Sequence, residues 1–278
     1  MLTLLHISDL HFGPPYLPQV GEALLRIAPS LAADVTVISG DLTQRAKREQ
    51  FASAKAFLQR LPDIPQVVVP GNHDVPLYRI HERLVDPHGL YRELISPELN
   101  RVWQLDAAII VALDSTAPRR AIVNGRIQKG QLDFCREAFA QGKAASSRIV
   151  VVHHPFAAAP DYEHDRTLPN STSTIEQFTE MGVDLILGGH LHRGYVANSL
   201  DLDPKPTRDH HGILLVQCGT TTSGRGRARE RKRNSFNLIA INSDSLTVTR
   251  YMYLDASDSF EPIARHTFSR GGQVLKLN

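Results

Sequence analysis

Cysteine is scarce in this chain. Cys135 and Cys218 are the only two in 278 residues. They have neither CxxC spacing nor a partner pattern, which excludes a disulfide-stapled fold and a thiolate zinc site. Isolated thiols suit a reducing compartment, and a cytoplasmic location is expected. An excess of either charge is also lacking: 31 Lys and Arg against 29 Asp and Glu leave a net charge of +2, too little to demand nucleic acid or a membrane surface. No apolar run approaches the roughly 18 residues that a membrane span needs. The N-terminus has no basic region and no small-residue cleavage site, so Met1 to His6 reads as the start of a strand rather than a signal peptide. Repeats and linker composition are absent too, and one domain over residues 1–278 is expected.

What is present is a rhythm of strands and helices. Val/Ile/Leu runs at 2–7, 35–39, 67–69, 108–113, 149–152 and 185–187 predict strands buried on both faces. Helical spacing of apolar residues predicts helices over 20–31, 44–61, 128–141 and 174–181. Such alternation defines an α/β fold. The charged and aromatic stretch at about 76–100 breaks the rhythm and is expected to form a helical cap beside the site. In the last quarter, 212–218, 236–241 and 246–254 read as consecutive antiparallel strands completing a second sheet, the latter two joined by an Asn242-Ser243-Asp244-Ser245 turn. The weakly periodic tail at about 255–278 is expected as an arm.

Five short segments at or just past strand ends carry metal-ligand residues: Asp9-Leu10-His11, Gly40-Asp41, Gly71-Asn72-His73-Asp74, His153-His154-Pro155 and Gly188-Gly189-His190-Leu191-His192. Each alone is commonplace. Together they bring carboxylates, imidazoles and an amide to the carboxyl ends of strands, where α/β sheets bind ligands. Oxygen and imidazole donors without thiolate suit Mn, Fe, Co or Zn. Alternation along an extended segment would put Asp9 and His11 on one side, and likewise His190 and His192.

These five blocks resemble the calcineurin-like metallophosphoesterase superfamily over residues 2 to 240. Within it, Ser39 to Thr43, Pro70 to Asp74 and His153-His154-Pro155 look most like the class III cyclic nucleotide phosphodiesterase branch. The resemblance implies a four-layer αββα sandwich of two mixed sheets flanked by helices. It implies two divalent ions: Asp9, His11 and His192 on one, Asn72, His153 and His190 on the other, and Asp41 bridging. His153 is preferred to His154 because it stands nearer the strand end. His73 would stabilise charge on the phosphoryl group or protonate the leaving oxygen, with Asp74 orienting it or capping a helix. The implied reaction is phosphoester hydrolysis by a metal-bound hydroxide, without a protein nucleophile. Purple acid phosphatases of the superfamily carry tyrosine three residues after the bridging aspartate. Gln44 stands there, so an iron-tyrosinate site is absent, and Gln44-Arg45 also lacks the Asp-Arg pair of the Ser/Thr phosphatases.

The run Arg225 to Arg233 is strongly basic. Arg225 and Arg227 are candidates to contact an anionic substrate. Without interleaved aromatics, a nucleic-acid interface is disfavoured. The expected substrate is a small nucleotide-like diester. A nucleotide-sugar lipid-precursor pyrophosphohydrolase, a nuclease and a non-catalytic scaffold are the alternatives.

Overall fold

The computed structural model describes residues 1–119, 123–142, 146–160, 165–201 and 212–269. Its strands are β1 (Leu2–Ile7), β2 (Val35–Ile38), β3 (Gln66–Val68), β4 (Arg101–Gln104), β5 (Ala108–Ala112), β6 (Ser147–Val151), β7 (Leu185–Gly188), β8 (Tyr195–Asn198), β9 (Leu214–Gln217), β10 (Ser235–Ile241), β11 (Ser245–Leu254) and β12 (Ser259–Ser269). Its α-helices are α1 (Pro18–Ile27), α2 (Arg48–Leu58), α3 (Ile80–Val85), α4 (Gly89–Leu94), α5 (Lys129–Ala140) and α6 (Ser171–Glu180). Two six-stranded mixed sheets run β12-β11-β10-β1-β2-β3 and β4-β5-β6-β7-β9-β8.

Three apolar cores make four layers. Between the sheets, Leu4, Val37 and Val67 meet Ile110, Ile149, Leu187 and Val216. Outside the first sheet, Val20 and Leu24 of α1 and Phe51 and Phe57 of α2 pack on Leu5, Ile7 and Ile38. Outside the second, Leu132 and Phe139 of α5 and Ile175 and Phe178 of α6 pack on Val111, Val150 and Ile186. Burial on both faces favours apolar residues along a whole strand, and β1, β2, β5 and β7 are buried throughout, with Thr3, His6 and Thr36 as their polar members. Helix ends follow local chemistry. Pro18 opens α1, where its fixed φ and missing N–H cost nothing. Gln131 folds back to accept the Gln128 N–H at the start of α5.

Four expectations need correction. The helix expected from 44 begins only at Arg48, because Thr43 to Lys47 is bent into a loop in which Ala46 is left-handed and Gln50 Oε1 accepts the Arg45 N–H. The three late strands do not form one antiparallel sheet. β9 pairs in parallel with β7, whereas β10 pairs antiparallel with β1 and β11 with β10. The tail expected as an arm enters the first sheet: β12 pairs with β11 over ten residue pairs, with a register shift at Arg250/Tyr251. Its periodicity is weak because an edge strand buries little; Phe260 is its one buried residue. Residues 270–278 lie outside the described residues. The stretch expected as a cap divides. In α4, Tyr91 is fully buried, donates to the Val68 carbonyl and meets Phe51 edge-on, whereas α3 buries nothing.

Candidate metal centre

Both sheets deliver their strand ends to one place. From β1, β2 and β3 come the loops carrying Asp9, His11, Asp41 and Asn72. From β6 and β7 come those carrying His153, His190 and His192. These loops are not extended. Ten non-glycine residues have positive φ among the described residues, and five are Asp9 (54°), His11 (51°), Asp41 (54°), His190 (74°) and His192 (55°). The i, i+2 pairs therefore converge through tight left-handed turns rather than through strand alternation. This backbone region disfavours most side chains, with Asp and His among those that tolerate it best.

One donor set gathers at Asp9. Ser8 Oγ and the His190 N–H donate to Asp9 Oδ2 at 2.7 and 3.0 Å. Oδ1 is buried without a hydrogen bond, 3.1 Å from His192 Nε2 and 3.6 Å from His11 Nε2. The two Nε2 atoms lie 3.0 Å apart. Donor atoms of Asp9, His11, Asp41 and His192 all fall within 4.8 Å of one another. A second set gathers at Asn72, whose Oδ1 is 3.2 Å from His153 Nε2 and 2.9 Å from His190 Nδ1. Asp41 touches both. Its Oδ1 accepts the His73 N–H at 2.8 Å. Its Oδ2 has no hydrogen bond and lies 3.4 Å from His153 Nε2 and 3.7 Å from His11 Nε2.

The ring orientations are fixed from behind. The Ser39 carbonyl accepts from His153 Nδ1 at 2.8 Å, and the Arg225 carbonyl pairs with His192 Nδ1 at 3.1 Å. Each ring thus turns Nε2 inward, whereas His190 turns Nδ1. His154 lies beside His190, ring centres 4.8 Å apart, and its Nδ1 pairs with Ser115 Oγ at 2.8 Å.

Two buried carboxylate oxygens without donors, facing imidazole nitrogens that have few other partners, form a cation hole; unpaired buried polar atoms are otherwise costly. The electrostatics agree. Burial would raise Asp9 and Asp41, yet the surrounding imidazoles hold both well below the usual carboxylate range. Burial lowers His11 to about 4 and His190 to about 3. Burial also opposes a charge on His153, but the Asp41 carboxylate overrides it and raises His153 to about 9. This oxygen and imidazole set fits divalent ions.

Space is made by absent side chains. A Cβ on Gly71 would collide with Asp41, and one on Gly189 with Ser8 and Asp9.

His73 sits beside the donor sets, its ring 4.9 Å from that of His11. Its Nδ1 pairs with the Gln44 carbonyl at 2.9 Å, so the expectation that Asp74 orients this ring is corrected. Asp74 instead accepts the N–H groups of Leu42, Thr43 and Gly71 at 3.1, 2.8 and 2.9 Å, and the Thr43 hydroxyl at 3.0 Å. It clamps the Asp41 loop to the Asn72 loop. Burial and nearby Asp41 raise it to about 6.

Arg225 reaches the site, half-buried, donating to Gln44 Oε1 at 2.9 Å. The Arg227 side chain is exposed, and its N–H bonds the His192 carbonyl. Sequence reasoning did not foresee that Gln44 holds both His73 and Arg225. It also missed a hydroxyl row behind Asp9: Thr220 donates to the Asp9 carbonyl, Thr221 accepts the Ser8 N–H, and Thr222 donates to the Leu10 carbonyl. The run Thr220-Thr221-Thr222-Ser223 at a strand end was the available signal.

Fold and donor cluster together are those of a protein of the calcineurin-like phosphoesterase type. The chain belongs to the calcineurin-like phosphoesterase family, whose profile matches residues 2–194. No curated protein matches the chain. Among solved structures it is similar to purple acid phosphatase PPD1 from yellow lupin (Lupinus luteus) seeds, with 13% identity, TM-score 0.72 and 97% of this chain covered; the chain spans 54% of that protein's length. It is also similar to a dimetal phosphatase from Danio rerio, with 12% identity, TM-score 0.64 and coverage of 96% of this chain and 98% of that one. A third is GAP50, the anchor in the inner membrane complex of Plasmodium, with 15% identity, TM-score 0.61 and coverage of 96% and 88%. At these identities the likeness shows the fold. Among the described residues no helix is long and apolar enough to cross a membrane.

Proposed function

We propose that this protein is a dinuclear-metal phosphodiesterase acting on a small nucleotide-like diester, a cyclic nucleotide or a relative. The observation that carries the reading is that Asp41 stands between two donor sets, Asp9 with His11 and His192, and Asn72 with His153 and His190. Divalent ions bound there supply Lewis-acid charge and acidify water. The remaining work belongs to the chain. Ser8 and the His190 N–H hold Asp9 so that Oδ1 alone faces inward. The Gln44 carbonyl only accepts, so His73 keeps a proton on Nδ1 and presents Nε2 to a phosphoryl or leaving oxygen. Burial lowers the proton affinity of His73, with Asp41 opposing; an anionic substrate adds to Asp41 in favouring the protonated ring, which then donates to the leaving oxygen. Arg225 adds positive charge at the rim.

Residues 1–278 are read as one cytoplasmic domain, with α3 as the cap element nearest solvent. Exposed Tyr78, Ile80, Leu84 and Val85 on and before α3 favour a second reading, a pyrophosphohydrolase on a nucleotide-sugar lipid precursor. One screen separates the two. Protein reconstituted with Mn, Fe, Co or Zn is assayed on bis-p-nitrophenyl phosphate, p-nitrophenyl phosphate, cyclic nucleotides, single-stranded DNA and a nucleotide diphospho-sugar. Turnover of the diesters is expected. His73→Ala should cut kcat by about 100-fold with bound metal unchanged, and Asn72→Ala should lose metal. Turnover of the diphospho-sugar alone would favour the second reading, and no metal-dependent turnover of any substrate would sink both.

A further inference from the structure

An open cavity of about 560 Å³ adjoins the donor cluster, lined by Pro14, Pro15, Gln44, Arg45, Lys47, Gln50 and Arg225. Two of these residues also belong to the site. Gln44 holds His73, and the Arg225 carbonyl holds His192. Three cations line the cavity, and no carboxylate does. Many surface arginines are paired with carboxylates, among them Arg26 with Asp258, Arg48 with Glu93, Arg60 with Glu22 and Arg79 with Glu82. Arg45 and Arg225 have no carboxylate partner among the described residues. Arg45 lies 5.2 Å from the centre of the Tyr78 ring, and Arg225 rests on an amide oxygen.

Arg225 is held against its own preference. Burial disfavours its charge, and Arg227 and Arg45 repel it, while Asp41 and Asp9 draw it in. A half-buried guanidinium with one neutral acceptor retains several unused donors in a fork suited to phosphate. Arg45 extends that positive wall away from the cluster, and Lys47 adds a cation that is shared with Glu49 at 3.6 Å.

We propose that this cavity binds a second phosphate of the substrate, so that preferred substrates are diesters of molecules carrying a further phosphate group. The inference rests on the phosphodiesterase reading for its reaction, but not for its binding. Its test compares metal-loaded wild type with Arg45→Ala, Lys47→Ala and Arg225→Ala on two chromogenic esters. One is thymidine 5′-(p-nitrophenyl phosphate), and the other is the same ester bearing a 3′-phosphate. In wild type the second phosphate should lower KM by about 10-fold or more, the factor that one charge-assisted hydrogen bond supplies. The advantage should shrink with added salt. In Arg45→Ala and Arg225→Ala it should fall towards none, and in Lys47→Ala by a smaller factor. Equal KM values for the two esters in wild type, or an advantage retained in Arg45→Ala, would overturn the proposal and leave the phosphodiesterase reading standing.

Calorimetric binding of thymidine 3′,5′-bisphosphate against thymidine 5′-monophosphate separates the two failures. If neither ester is hydrolysed but the bisphosphate binds more tightly in an Arg45-dependent way, the cavity assignment stands and the reaction falls. If neither turnover nor differential binding appears, both fall.

Discussion

At the scale of single residues, Asp74 changes role most between sequence and structure. As a partner of His73 it would affect only the chemistry. As an acceptor of three buried N–H groups it holds two loops together. Asp74→Ala leaves those donors unpaired and should cost about 3 kcal/mol or more, each lost partner costing roughly 1–3 kcal/mol. Asp74→Asn keeps one accepting oxygen and should cost distinctly less. Urea unfolding of both variants, together with metal content, checks this. A fall in kcat in Asp74→Ala at unchanged stability would restore the orienting role.

The donor residues themselves were legible, because Asp, Asn and His at the ends of apolar runs carry their chemistry in their side chains. Their geometry was not. Whether Asp9 and His11 meet through strand alternation or through left-handed turns depends on φ, which residue type biases without fixing. Gln44 was noted only for the tyrosine it is not, and its own role escaped notice for a related reason. Its main contribution to His73 is a carbonyl, and every residue has one.

At the scale of elements, what sequence revealed follows burial. Strands buried on both faces, such as β5 and β7, are continuous apolar runs and stand out. Short or half-solvated strands do not. β4 reads Arg101-Val102-Trp103-Gln104 with no buried residue, and β8 buries only Tyr195. β12 carries Pro262 and exposed charges along an edge, as edge strands commonly do. Its attachment depends on Phe260, which is 2% exposed and set 4.9 Å from Phe236 and 5.7 Å from Tyr253. Phe260→Ala should therefore destabilise the fold by about 3 kcal/mol, whereas Ile263→Ala, at a position 46% exposed, should cost under about 0.5 kcal/mol. Denaturant midpoints measure both. Near-equal small effects would mean that β12 contributes nothing to the core.

At the scale of the whole molecule, the two sheets meet at the site, and their junction carries concentrated negative charge. Asp9 and Asp41 are buried with an oxygen each lacking a donor. A bound cation satisfies both and ties loops from one sheet to loops from the other. Stability should then depend on metal concentration: at 100-fold excess over Kd each ion adds about 2.7 kcal/mol. Scanning calorimetry of chelator-treated protein, with Mn returned stepwise, should show the melting temperature climb with the ion. A melting temperature indifferent to chelator and metal would mean that the junction is held by protein contacts alone.

The left-handed turns at Asp9, His11, Asp41, His190 and His192 have a historical consequence. A residue with a β-carbon is held there at a cost of roughly 1 kcal/mol or more, and glycine would relieve it. Mutation in a gene copy released from its reaction would meet least resistance at His11, His190 and His192, whereas Asp9 and Asp41 also accept the His190 and His73 N–H groups and would be held longer. Such a copy would keep its shape and shed its ligands, so descendants of this architecture are predisposed to survive as inert look-alikes.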